Sequence, residues 1–482
     1  MSQHYLDLFL YVRISHRFTE RTPRVKETID SWPEVPLYLE FLIDEENKLK
    51  NDTDNLHAAL VQRDRISHMH VIMMGLEANW LADLIREEFP RLKHLELWQE
   101  SPRNYEVAFV IFDRLLGGSA PSLQHLTICG FEYQGLPSLL LSAPNLISLK
   151  MEDIRLACYM SPEAMAGALA GLTKLRELTI AFSFLQLTHH DAEGFQSSPT
   201  HAVFPALTKL RIEADNAYLE NLMDLIDAPR LDDLHVKYLK PKEAKELRAG
   251  NISQFIGRTE TFKHAQLRRA EVTLDRYQTS VVFDIPRDEC QQTCLSHQIS
   301  DQEDWTLPFV DTVSHVTNWL GQLVMMLSDV QSLSIRREWT IVGDFFQKDI
   351  NWLLFLRLFP AVEVLHVREE MVKHIASVLE GIPEEMVTQV LPALELLWLD
   401  DVQGQEIFLA EKGNGKPESV DQFLSLRKKS GRPVVVVRWH HEFMERLSPR
   451  QLKLRKSRKI HAGDYEFMNE TTRREIRRSR TR

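Results

Sequence analysis

The sequence predicts an α/β fold: an irregular solenoid with parallel strands on its concave side and helices on its convex side. Three observations carry that expectation. One short phrase, apolar-Pro-x-Leu-x-x-Leu-x-Leu/Ile/Val, returns along most of the 482 residues. Its second half alternates apolar and polar residues, the pattern of a strand with one buried face. Between the copies lie stretches with helical spacing of apolar residues, such as SPEAMAGALAGL, AYLENLMDLIDA and INWLLFLRLF. Strand, turn and helix in about 30 residues cannot bury their own apolar faces, whereas a stack of such units makes one continuous core.

The phrase reads FPRLKHLEL from Phe89, APSLQHLTI from Ala120, APNLISLKM from Ala143, FPALTKLRI from Phe204, APRLDDLHV from Ala228, FPAVEVLHV from Phe359 and LPALELLWL from Leu391. A copy led by Leu175 and one led by Val330 lack the proline, and degenerate copies fit at Ile66 and Leu267. The long gap from Leu267 to Val330 has room for one more unit, through QISDQEDWTLPF. This is the leucine-rich-repeat pattern L-x-x-L-x-L-x-x-N/C-x-L. Its usual Asn or Cys is replaced here by residues such as Glu100, Phe131, Ile154 and Ser183. No side-chain ladder is expected at that position, and backbone groups there need other partners.

The organisation expected is an N-terminal helical capping segment over 1–50, repeats over 51–405, a C-terminal strand–helix cap over 406–448, and a basic disordered tail over 449–482. From Arg450 to Arg482 there are 12 Lys and Arg against 4 Asp and Glu, although the whole chain carries −11. The acidic body disfavours nucleic acid except through the tail, whose runs KLRKSRK and RREIRRSRTR suit nuclear import or electrostatic attachment. Four cysteines make no disulfide framework, and no apolar run approaches membrane-spanning length. A cytoplasmic or nuclear protein without membrane attachment is expected.

Catalytic signatures are missing, so no enzyme and no cofactor are expected. EKGNGKPES places Pro417 where a phosphate loop needs a hydroxyl residue. His189-His190-Asp191 reads as a polar surface loop. Cys290, Cys294 and His297 lack a fourth zinc ligand, and the two cysteines read as small buried residues. The residues between the buried apolar positions of each strand face the concave surface. Those columns hold His68, His70, His94, Glu96, Trp98, His125 and Thr127, then Lys209, Arg211, Glu213, Asp233, His235 and Lys237. Arg269, Glu271, Arg336, His366, Arg368, Trp398 and Asp400 follow. Tryptophan and arginine among mixed charges are the composition of a partner-binding surface. His94, Glu96, Trp98, Lys209, Arg211, His235, Lys237, Arg336, His366, Arg368 and Trp398 are its candidates.

SWPEVPLYLEFLID (Ser31 to Asp44), HAALVQRDRISHMHV, the FP/AP/LP-x-L copies and VDQFLSLRKKSGRPVVVV (from Val420) together resemble the repeat region of fungal F-box/leucine-rich-repeat proteins. The resemblance implies a substrate-binding part of a ubiquitin-ligase receptor. A cullin-ligase adaptor would be a partner if an F-box lies upstream. No Leu-Pro-x-Glu-hydrophobic opening follows Pro23, and the chain is expected to start just beyond where an F-box ends. The alternative is a structural or assembly interaction protein with no ubiquitin-ligase link.

Overall fold

The repeated phrase is a tight turn that launches a strand. In nine copies the fourth residue donates its N–H to the carbonyl of the first: Leu92 to Phe89, Leu123 to Ala120, Leu146 to Ala143, Leu175 to Leu172, Leu207 to Phe204 and Leu231 to Ala228. The same bond joins Val330 to Leu327, Val362 to Phe359 and Leu394 to Leu391. Proline at the second place suits this turn, because its ring fixes φ and no N–H is needed there. The proline-free copies at Leu172 and Leu327 close the same bond, so proline favours the turn without being required for it.

The computed structural model describes residues 10–15, 25–31, 34–44, 58–74, 86–100, 110–111, 115–133, 136–155, 158–183, 201–239, 250–263, 267–274, 278–286, 292–300, 317–322, 327–337, 352–368, 371–401 and 420–440. It is a mixed α/β structure with parallel sheets, and it divides into two compact units where one continuous body was expected. The first unit comprises Met1–Leu234 with Gln254–Lys263, the second His235–Ser253 with His264–Arg482.

In the first unit, β1 (Leu10–Ser15), β2 (Leu37–Asp44), β3 (Ile66–Met74) and β4 (His94–Glu100) run side by side. After the two-residue β5 (Val110–Ile111) come β6 (His125–Cys129), the short β7 (Glu132–Tyr133), β8 (Ser148–Ile154) and β9 (Glu177–Phe182). β10 (Ala202–Val203), β11 (Lys209–Ala214) and β12 (Ile226–Asp227) complete the series. The main strands pair in parallel in the order β1-β2-β3-β4-β6-β8-β9-β11. The N-terminal 50 residues, expected to be helical, therefore contribute two strands around the helix Val25–Ser31. LYLEFLID lacks the Pro-x-Leu turn but keeps the alternation, which is enough to pair it between β1 and β3.

Register aligns the leucines. Leu95 pairs with Leu126, Leu126 with Leu149, Leu149 with Leu178 and Leu178 with Leu210. All five are buried, each contributing about 1.5–3 kcal/mol of apolar burial. The helices Leu136–Leu141, Pro162–Leu169 and Asn216–Leu225 pack in succession. Ser161 and Asp215 cap the last two by accepting from the N–H groups of Ala164 and Tyr218.

One carbonyl ahead of each strand accepts two N–H groups from the next copy. Lys93 O takes Gln124 and His125, Gln124 O takes Ile147 and Ser148, Ile147 O takes Arg176 and Glu177, and Arg176 O takes Thr208 and Lys209. Side chains reinforce the turns: Ser122 Oγ donates to Pro90 O at 2.7 Å and Asn145 Nδ2 to Pro121 O at 2.8 Å. A polar ladder does exist, at the turns rather than at the position where the repeat pattern usually holds Asn.

The second unit begins within β13 (Asp233–Leu239). Its strands are β14 (Arg269–Leu274), β15 (Gln278–Pro286), β16 (Gln292–Ser300), β17 (Ser332–Arg337), β18 (Val364–Arg368), β19 (Leu396–Asp401) and β20 (Val435–His440). The order is β13-β16-β15-β14-β17-β18-β19-β20. No further strand separates β14 from β17: Arg269 pairs directly with Ser332. The long gap instead holds the antiparallel hairpin β15–β16 on the other side of β14, which corrects the expectation of an extra repeat there. Residues 301–316 of that gap lie outside the described ones. The turn carbonyls recur: Arg268 O takes Gln331 and Ser332, Gln331 O takes Glu363 and Val364, and Glu363 O takes Glu395 and Leu396. On the helix Asp421–Lys429, the buried Arg427 donates to Leu394 O at 2.8 Å and Val387 O at 3.4 Å, satisfying carbonyls beside the last turn.

Candidate functional site

Strand alternation sends Leu95 and Leu97 into the core and leaves His94, Glu96 and Trp98 on the opposite, open face. The parallel register repeats this choice from strand to strand. His68, His94 and His125 occupy one column, His70, Glu96 and Thr127 the next, and Ile72, Trp98 and Cys129 the third. These nine positions on β3, β4 and β6 are the centre of the candidate site.

The first column is a stack of rings. Tyr38 and His68 have centroids 5.3 Å apart, His68 and His94 4.2 Å, and His94 and His125 4.2 Å, with interplanar angles of 18°, 11° and 7°. Stacking follows from identical residues at identical repeat positions, since neighbouring strands sit about 4.8 Å apart. Ser67 Oγ lies 3.0 Å from His68 Nδ1 and fixes that ring's edge. Partial burial, then the neighbouring His68, His125 and Lys93, push the His94 imidazole down to about 4, so it is neutral at physiological pH. Past His125 the column continues through Ser148, Glu177 and Lys209. Lys209 Nζ bonds Glu177 Oε1 at 2.9 Å, and that bond raises its pKa.

The second and third columns hold paired charges. His70 Nε2 lies 3.7 Å from Glu96 Oε2, Lys150 Nζ 3.1 Å from Glu152 Oε2, and Arg211 pairs with Glu213. Lys150 Nζ also stands 4.9 Å from the centroid of the Trp98 ring, a cation–π contact that leaves the indole half-exposed. Burial, with Glu152 and Asp153 nearby, pushes the Cys129 thiol up to about 12, which removes it as a nucleophile.

Five sequence candidates, His94, Glu96, Trp98, Lys209 and Arg211, thus share one face of the first unit. His235 and Lys237 lie half-buried on β13. In the second unit Arg336 is tied to Glu271 at 2.6 Å and Thr273 Oγ1 at 3.0 Å. Arg368 is half-buried on β18. His366 and Trp398 occupy the expected side of their strands but are not open to solvent, at 4% and 9% exposure. Trp398 packs with Val364 and Leu396, and with the partly buried Val435 and Val437, while His366 lies 3.9 Å from Asp400. Apolar neighbours in adjoining columns turned that part of the face into core.

The candidate list omitted Tyr38, Ser148, Lys150 and Glu177. The column rule that found His94 also yields Ser148, Lys150 and Glu177 from the copies at Leu146 and Leu175. Tyr38 needed recognition of a strand without its turn. Among the described residues no group of His, Cys, Asp or Glu side chains forms a metal cluster, and no helix is long and apolar enough to cross a membrane. Cys294 and His297 fall on β16, while Cys290, the His189–Asp191 loop, Glu411–Ser419 and the tail lie outside the described residues. Compared with known proteins, the chain matches no family model and no curated sequence.

Proposed function

We propose that the chain is a non-enzymatic protein-recognition scaffold. In this reading it is an irregular leucine-rich-repeat solenoid of the kind that serves as the substrate-binding region of an F-box-type ubiquitin-ligase receptor. The observation that carries it is the nine-position patch on β3, β4 and β6, where a half-exposed Trp98 stands among histidines and paired charges. A large ring held by a cation–π contact beside satisfied polar groups is how interface hot spots are built. Repetition supports the same reading, because stacked turn–strand copies present one broad, pre-organised surface and little else.

The test is purification of the tagged full-length chain from cells, with quantitative mass spectrometry of what accompanies it. A Trp98→Ala, Lys209→Glu double variant is carried in parallel. The expected result is a set of proteins lost with the double variant and a cullin-ligase adaptor retained by both. Face-dependent partners without the adaptor would leave a structural or assembly scaffold and remove the ligase role. A variant that loses nothing would overturn recognition by this face.

A further inference from the structure

We infer that the strand-start half of this face receives an acidic segment of a partner protein, and that its binding is coupled to proton uptake by the imidazole row. The inference rests on reading this face as a recognition surface. It begins from an arrangement that is costly to charge. His68, His94 and His125 lie ring over ring at 4.2 Å, so protonating one disfavours protonating the next. His94 already stays neutral down to about 4. In the free protein the central ring of the row is therefore an uncharged edge.

The surroundings decide which ligand would reverse that. Along the strand-start edge stand Lys93, Lys174, Arg176 and Lys209, all exposed. Glu177 and Asp233 are the acids among them: Glu177 is engaged by Lys209 and by Ser148 Oγ at 3.5 Å, and Asp233 lies beside Lys209. The other groups facing the row are Tyr38 and Glu40 on β2, His70 on β3, Glu96 on β4 and Lys150 on β8. Glu96 is held by His70, and Lys150 by Glu152. A carboxylate laid over the row would therefore meet a basic edge and three imidazoles. It would also supply the counter-charge that makes a proton on His94 favourable. Proton and anion then strengthen each other reciprocally.

A nucleic-acid strand is the poorer fit. Its unbroken phosphate charge would run on toward Glu96, Glu152 and Glu213 in the strand-end half. A peptide can place carboxylates on the row and an apolar side chain on Trp98.

Fluorescence anisotropy of the full-length chain tests this with two labelled probes, at pH 7.5 and 5.5 and constant salt. One probe is a dodecapeptide of glutamate with a central leucine, and the other is a twelve-nucleotide oligothymidine. The expected result is a peptide affinity that rises roughly tenfold at pH 5.5, below the roughly hundredfold ceiling for one proton taken up across the whole window of two pH units. His94→Gln should abolish the rise, and so should His125→Gln, which alters the row at its far end should the first variant not fold. A flat pH response overturns the inference, as does a rise unchanged in both variants, which would place the titrating group outside the row. Oligothymidine binding with the same row-dependent rise overturns the choice of partner. If Trp98→Ala weakens the peptide while pH does nothing, the inference falls and the recognition surface stands. If neither Trp98→Ala nor Lys209→Glu changes binding, both fall together.

Discussion

On β4, β6 and β3 the first column of this face holds His94, His125 and His68. On β18, β19 and β20 the place two residues before His366, Trp398 and Val437 holds Val364, Leu396 and Val435, the first two of them buried. The next position on that side holds His70, Glu96 and Thr127 in the first unit, and His366, Trp398 and Val437 in the second. Both units use the same turn bond and the same doubly loaded carbonyl, so the backbone formula does not dictate what lies on that side. Apolar positions on the leucine side fix the architecture. The alternate positions are released to become a polar surface in one unit and a second buried cluster in the other.

Trp98 and Trp398 give the most severe test of that difference. Trp398 is buried at 9% exposure, whereas Trp98 is half-exposed under Lys150. Trp398→Ala should cost about 3–5 kcal/mol of unfolding free energy, the range for large aromatic truncations in a core. Trp98→Ala should cost under about 1 kcal/mol, little more than its cation–π contact. Urea unfolding of both variants, followed by far-UV circular dichroism, measures the contrast. Equal losses would mean that the two faces are not different in kind.

A smaller contrast isolates backbone geometry. Gly130 in the first unit has φ of 77°, and a Cβ there would lie 2.7 Å from Gln99 O. Gly431 in the second has φ of 76° with nothing within 4 Å of such a Cβ. Gly431→Ala should cost about 1 kcal/mol, the left-handed penalty alone. Gly130→Ala should cost roughly 3 kcal/mol, because β4 must also move away. Thermal melts that rank the two the other way round would remove the close approach of Gly130 to β4 as the reason for glycine.

Much of this was legible in the sequence, for physical reasons that also mark where reading stops. Pro-x-Leu located the turns because proline's fixed φ and missing N–H suit one place in them. Counting by twos from each leading leucine put His94, Glu96, Trp98, Lys209 and Arg211 on one face, since a strand's period is fixed. Stacking of His68, His94 and His125 was implicit in their shared repeat position but depends on register, which no single strand contains. The burial of Trp398 was hidden for the same reason: it depends on Val364 and Val435 from neighbouring strands, distant from it in sequence. The side of β14 taken by the β15–β16 hairpin is likewise a pairing choice between segments of similar alternation.

The gentlest probe of the comparison is pH. His94 in the folded first unit has its pKa lowered to about 4, while an unfolded histidine titrates near 6.5. As pH falls below about 6.5 the unfolded chain binds this proton and the folded chain does not. The stability tied to a neutral His94 is therefore complete above about 6.5 and drains away as pH drops toward 4. His94 contributes a loss of stability with acid between pH 6.5 and 5. Urea midpoints of the wild type should fall across this window, and those of His94→Gln should fall less. A variant whose midpoints follow the wild type at every pH would show that the ring stack costs nothing to protonate. In that event the polar face of the first unit would be as indifferent to acid as the apolar cluster around Trp398.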